Sequence, residues 1–227
     1  MIPWRDENPR RRFPVVSVLL IAGNTLVFVW TRFLSGQFET LINQWGFISS
    51  EWRGLDILET AASPSSASTL ATPLTSLFLH AGVLHALSNL WFLKVFGDNV
   101  EDAQGRPRFL VFYILCGLFA VFVHYAVDPA ASLPLVGASG AVSGVLAAYV
   151  FYYPTVMIQS FVPVIIILVP VRIPAFMFIG IWALIQVAGS MVYTGGPGIA
   201  YGAHIGGFLA GLALAPVFRR KRSSRRG

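Results

Sequence analysis

Apolar residues in this chain gather into long runs instead of alternating with polar ones. Six runs stand out, at 15–34, 76–96, 108–127, 137–153, 174–193 and 200–218. A helix needs about 20 apolar residues to cross a bilayer, so the pattern predicts six transmembrane helices. The first run is too long for a signal-peptide core and no small-residue cleavage site closes it, so it reads as a retained span. The fourth run is the shortest. About 17 residues make a helix of roughly 25 Å against a hydrocarbon core of about 30 Å, and its outer end is expected to start below the surface in a water-filled dip.

The segments between the runs differ in kind. Residues 35–75 hold Trp45, Trp52, Arg53 and Ser63-Pro64-Ser65-Ser66 and read as a loop lying partly at the membrane interface. Residues 97–107 are polar and read as a connection, with Asp98, Glu101, Asp102 and Arg106. Residues 154–173 contain the apolar string 164–169, bracketed by Pro163 and Pro170 and dominated by β-branched residues. An interfacial hairpin or re-entrant piece suits it better than a seventh span. A seventh span would reverse the last helix and separate residues that otherwise fall at one depth.

Those residues are polar guests in apolar runs, where they default to a functional hypothesis. Ser139 sits in Gly137-Ala138-Ser139-Gly140 at the start of run four, and His204 in Ala203-His204-Ile205-Gly206-Gly207 near the start of run six. His85 and Asn89 lie one helical turn apart near the start of run two, on one face. With six spans, runs two, four and six all point inward, and these four side chains share one depth. Gly137, Gly140 and Gly144 in run four and Gly206, Gly207 and Gly211 in run six are candidate helix-packing glycines, because small-xxx-small pairs let backbones approach closely.

Composition supports a membrane protein: 56% of the chain is hydrophobic and 11% charged, against a usual charged share of about 25%. The net charge of +6 suggests nucleic acid until its location is noted. Arg5, Arg10, Arg11 and Arg12 precede the first run, and Arg219, Arg220, Lys221, Arg222, Arg225 and Arg226 follow the last. No fold or aromatic platform for nucleic acid accompanies them. They read as cytoplasmic flanks that favour anionic lipid. With both termini inside, 14 of the 16 basic residues fall inside, and only Arg32 and Arg53 outside. The tails are thus 1–14 and 219–227, flanking one membrane domain at 15–218. The single cysteine, Cys116, excludes an internal disulfide.

A serine hydroxyl is a weak nucleophile until a base takes its proton, and His204 is the histidine placed to do so. Taken singly, Ser139 also suits a helix-capping serine, His204 a histidine bonded to a carbonyl, and Asn89 interhelical glue with His85 as its partner. His85 and Asn89 also offer hydrogen-bond donors of the kind that stabilise an oxyanion. A metal site built on His80, His85 and His204 would lack a carboxylate or cysteine at that depth, and His124 reads as interfacial. No cofactor is required.

Four pieces together resemble the rhomboid intramembrane serine proteases: His80-Ala81-Gly82-Val83-Leu84-His85 with Asn89; Gly97 with Glu101; Gly137-Ala138-Ser139-Gly140; and Ala203-His204-Ile205-Gly206-Gly207 with Gly211. The resemblance implies an all-α, polytopic six-helix bundle in which Ser139 is the nucleophile and His204 the general base of a dyad. It implies an oxyanion hole formed by His85, Asn89 and the Ser139 backbone N–H. The long first loop would lie half in the membrane and span five would gate entry of a transmembrane-helix substrate. Two positions depart from the pattern. Trp52-Arg53 lies upstream of where a Trp-Arg pair usually stands, a place nearer Ala71-Thr72. Ser143 is small where some members carry a tyrosine stacked on the histidine. A non-catalytic rhomboid-like escort protein is the alternative, and the presence of Ser139 and His204 speaks against it. A small transporter would need inverted repeats or mid-membrane charges, and neither is seen.

Overall fold

A computed structural model of the chain describes residues 1–55, 67–164, 167–192 and 198–220. Ser63-Pro64-Ser65-Ser66, residues 165–166, most of 194–199 and the basic residues from Lys221 onward lie outside the described residues.

Strand β1 (Ile2–Asp6) is followed by helix α1 (Val15–Val29), which ends in a π-helical turn at Trp30–Leu34. Short helices α2 (Phe38–Trp45), α3 (Ser49–Trp52) and α4 (Ala67–Thr75) make up the first loop, and a 3₁₀ turn at Ser76–Phe78 extends α4. Then come α5 (Val83–Gln104), α6 (Arg106–Val127) and α7 (Ser139–Tyr152). Strands β2 (Met157–Val164) and β3 (Ile167–Pro174) precede α8 (Ala175–Val192) and α9 (Tyr201–Phe218).

The chain is a mostly helical, polytopic integral membrane protein. Four helical segments are long and apolar enough to cross a bilayer: Val15–Leu34, Arg106–Val127, Ala175–Val192 and Tyr201–Phe218. The pair Thr69–Phe78 and Val83–Gln104, bent by 74°, makes a fifth if counted as one broken span. Helix α7 has 14 residues, about 21 Å, and is too short by length alone to count as the sixth. It is nonetheless the central helix, buried continuously from Gly140 to Tyr149, as expected of a helix that is apolar all round. Large apolar side chains on the outer helices face outward, among them Leu26, Phe122 and Leu184.

Four expectations need correction. The bundle is not all-α, because β1, β2 and β3 form an antiparallel sheet in that order. Residues 1–14 are therefore not a simple tail: β1 covers the edge of β2, satisfying backbone groups that an open edge would leave unpaired. Run two does not begin its helix at 76. The extended backbone at Gly82 breaks it, α5 starts at Val83, and His80 is buried in the break. The polar stretch 97–107 is not a loop but the last two turns of α5, joined to α6 through Gly105 alone at φ +83°. A left-handed residue of this kind favours glycine.

The polar residues of that stretch anchor the end of the bundle where α1 begins. Glu101 is buried and accepts hydrogen bonds from the N–H groups of Val16 and Ser17 at 3.0 and 2.8 Å and from the Ser17 hydroxyl at 2.9 Å. Its carboxylate thus satisfies orphan donors at the start of α1 and meets the positive end of the helix dipole. Gly97, one turn earlier, keeps the approach open: a Cβ there would lie 3.2 Å from the Ser17 hydroxyl oxygen and 2.9 Å from the Leu93 side chain. Asp6 accepts from the Asn99 amide at 2.8 Å and from the Tyr149 hydroxyl at 2.6 Å, tying the sheet to α5 and α7.

Residues 154–173 form the hairpin β2–β3, with Met157 opposite Pro174 and Val164 opposite Ile167. The chain leaves α7 and enters α8 at the same end, so α7 and α9 run parallel. Their contacts confirm it: Gly140 meets Gly207 and Gly144 meets Gly211. Helix α5 shares that direction. His85 near its start lies against Gly137, and Gln104 at its end donates to the Tyr152 hydroxyl at 3.1 Å, which in turn donates to the Ala215 carbonyl at 2.6 Å.

Candidate active site

The N-terminal ends of α5, α7 and α9 converge on a cavity of about 1600 Å³. Ser139, His204, His85 and Asn89 all line it. The α7–α9 contact sets the approach of the first two. A Cβ on Gly207 would fall onto the Gly140 carbonyl, and one on Gly211 onto the Gly144 carbonyl. Each glycine therefore permits backbone-to-backbone contact that alanine would prevent. The third face of this packing belongs to α6: Gly140 abuts Ala120, Gly144 abuts Cys116 and Gly206 abuts Val123. At the start of the two helices, a Cβ on Gly140 would sit 3.6 Å from the Ala203 carbonyl oxygen. The residue after Ser139 thus lies beside the residue before His204.

Ser139 is the first residue of α7, a position whose N–H has no acceptor within the helix. Its hydroxyl and the His204 imidazole open on the same cavity, and no direct hydrogen bond joins them.

Gly137 is placed differently from the other candidate packing glycines. It precedes α7 at φ +125°, its N–H donates to the Ser76 carbonyl at 2.9 Å, and a Cβ there would lie 2.7 Å from His85 Cε1 and Nε2 and 3.6 Å from Asn89 Nδ2. Its role is to clear room for His85 beside the start of α7. Asn89 is buried, and its Nδ2 has no hydrogen-bond partner. An unpaired buried donor costs about 1–3 kcal/mol, and Asn89 is one of the residues around the cavity that Ser139 lines.

His80 stacks edge-on against His85, with ring centroids 5.3 Å apart, and against Phe28 at 6.3 Å. Among the described residues no group of three or more His, Cys, Asp or Glu is arranged to hold a metal. His124 also lines the cavity. The first loop folds over this end. Phe47 and Leu135 exchange backbone hydrogen bonds at 3.0 and 2.7 Å, and the Trp52 indole donates to Thr72 at 3.2 Å. Trp52 thus reaches the Ala71-Thr72 place from upstream.

Sequence reasoning missed two residues of α8. Gln186 is buried, and its Oε1 lies 2.7 Å from His204 Nδ1. Trp182, one turn earlier, sets its ring 6.2 Å from the imidazole at 30°. The signal was available: Gln186 is the one amide in an otherwise apolar run, and intramembrane polar residues mark function. Ser143 does not stack on the histidine. Its hydroxyl turns back to the Ser139 carbonyl at 2.6 Å.

The model of the rhomboid domain matches residues 67–221. The chain belongs to the rhomboid family. Among curated relatives, the mouse mitochondrial presenilin-associated rhomboid-like protein is 30% identical over 131 residues, 57% of this chain and 30% of that protein. Rhomboid-like protein 11 of Arabidopsis thaliana chloroplasts is 41% identical over 73 residues, 32% of this chain and 26% of its own length. A candidate rhomboid protease of Bacillus subtilis is 35% identical over 78 residues, 34% of this chain and 39% of its own. The matches thus span well under half the length of these rhomboid relatives.

Proposed function

We propose that this rhomboid is an intramembrane serine endopeptidase that cleaves transmembrane-helix proteins near the outer membrane face. The observation that carries the reading is the meeting of Ser139, His204, His85 and Asn89 on one cavity at the outer ends of three parallel helices. In this mechanism His204 takes the Ser139 proton and the serine oxygen attacks the scissile carbonyl. The developing oxyanion is held by the Asn89 amide, the His85 imidazole and the Ser139 N–H. The proton passes from His204 to the leaving amine. Water entering the cavity then releases the acyl-enzyme with His204 again as base. All six long helices are embedded, with α7 sunk in the bundle, and α8 is the side through which a substrate helix enters. The protein sits in a bacterial-type plasma membrane with both termini cytoplasmic, and its basic ends meet anionic lipid.

The test is cleavage of a labelled single-span protein in vesicles. Ser139→Ala and His204→Ala are expected to lose turnover, and a fluorophosphonate is expected to label the parent but not Ser139→Ala. Equal cleavage by all three proteins would sink the dyad.

A further inference from the structure

We infer that Gln186 is a positioning residue that fixes the tautomer of His204, so that the base is oriented only while α8 is seated against the bundle. The inference rests on His204 acting as the base.

The amide of Gln186 has a determined sense. Its Nε2 donates to the Trp182 carbonyl at 3.3 Å, which leaves Oε1 turned to His204 Nδ1 at 2.7 Å. An amide oxygen only accepts, so Nδ1 must carry the proton and donate. The neutral ring then has its lone pair on Nε2, the nitrogen left to take a proton from Ser139. A reversed amide would put a donor on Nδ1 and face its oxygen with the Trp182 carbonyl. As the ring becomes imidazolium in the reaction, the Nδ1–H···Oε1 bond becomes charge-assisted and strengthens. The other titratable groups lining the cavity are His85 on α5, His124 and Asp128 at the end of α6, Glu39 on α2 and Tyr201 on α9. Among the described residues none of their carboxylates bonds the His204 ring.

The contact is also mechanical. The buried residues of α8 are Ala175, Phe178 and Ile179 at its inner end and Gln186 alone in its outer half. Around Gln186 the helix is exposed, with Leu184 at 69% and Met191 at 79%. The outer half is held through Gln186 and through Gly189, against which the Tyr201 ring packs. Moving this half outward to admit a substrate helix removes the acceptor from Nδ1, and reseating restores it.

The experiment uses the full chain in vesicles with Gln186→Leu, Gln186→Met and Gln186→Glu beside the parent, Ser139→Ala and His204→Ala. Gln186→Leu and Gln186→Met are expected to lower kcat about 10- to 100-fold with KM little changed. Gln186→Glu keeps an acceptor and is expected to restore turnover above the acid limb, which moves to higher pH because a carboxylate favours the imidazolium. Nitrogen-15 spectra of histidine-labelled protein, assigned through His204→Ala, are expected to show Nδ1–H in the parent and mixed tautomers in Gln186→Met. A parent spectrum with Nε2–H, or a Gln186→Met protein with the parent's kcat and pH limb, overturns the inference. If the two dyad variants are dead while Gln186→Met turns over at the parent's kcat, only this inference falls. If the dyad variants cleave, the function itself falls. Should Gln186→Leu fail to fold, the Met and Glu variants and the parent spectrum still decide.

Discussion

Replacing Gly207 with alanine tests whether backbone contact between α7 and α9 builds the site. The new Cβ would lie 2.7 Å from the Gly140 carbonyl carbon and closer still to its oxygen, whereas ordinary contact begins at 3.4 Å. The two helices must part by about 1 Å. Overfilling a packed core costs about 1–3 kcal/mol, partly offset by alanine's helix propensity of up to about 1 kcal/mol over glycine. A net loss of up to about 2–3 kcal/mol follows. The effect on chemistry is larger, because Ser139 and His204 ride on the separated helices and a 1 Å misplacement costs about 10²-fold in rate. The assay pairs detergent unfolding of the purified protein with cleavage of a single-span reporter. Gly180→Ala and Gly23→Ala are internal controls, since a Cβ at either meets nothing within 4 Å. Both are expected to match or slightly exceed the parent in stability. A Gly207→Ala protein as stable as Gly180→Ala and as fast as the parent would refute the reasoning.

Two further outcomes follow from particular contacts. Gly137→Ala strains a φ of +125° and drives a methyl into the His85 ring; it is expected to lower kcat about 10²-fold through the oxyanion donors while leaving sheet and inner-end stability intact, read by cleavage and thermal unfolding. Burial raises the Asp6 carboxyl from 3.8 to about 6, against the lowering hydrogen bond from Tyr149 and with Asp98 adding to the rise. Because the folded value lies above the unfolded one, the protonated form's contribution is full below pH 3.8 and is lost as pH climbs through 6. The rise is worth about 3 kcal/mol if fully buried and about 1 kcal/mol for a carboxyl that solvent partly reaches. Hydrogen exchange in β1 is expected to quicken between pH 5 and 7 beyond its intrinsic dependence, and Asp6→Asn to abolish that excess.

The site was legible where it depended on depth and direction. Ser139, His204, His85 and Asn89 sit in helices whose apolar runs are easily counted, and the short, β-branched string between Pro163 and Pro170 favoured a hairpin or re-entrant piece over a span. What escaped depended on side-chain reach between elements distant in sequence. Gln186 faces His204 only because α8 packs beside α9, and a single amide gives no sign of its partner. Polarity at 97–107 resembled a loop because a carboxylate serving another helix's N-terminus looks the same in sequence as one facing water. The strand at Ile2–Asp6 was hidden because its pairing partner lies far along the chain.

That last separation has a consequence for biosynthesis. Arg5 and its partner Gln159 stand 154 residues apart. At about 5–20 residues per second, the strand waits roughly 8–30 s after synthesis for its partner to emerge. By then the helices up to α7 have all been made, so the sheet is a seam that closes late, with only α8 and α9 still to follow. A bulky fusion attached ahead of Ile2 would have to be carried to that seam, and its penalty would appear as slow maturation of the protein, not as failed insertion.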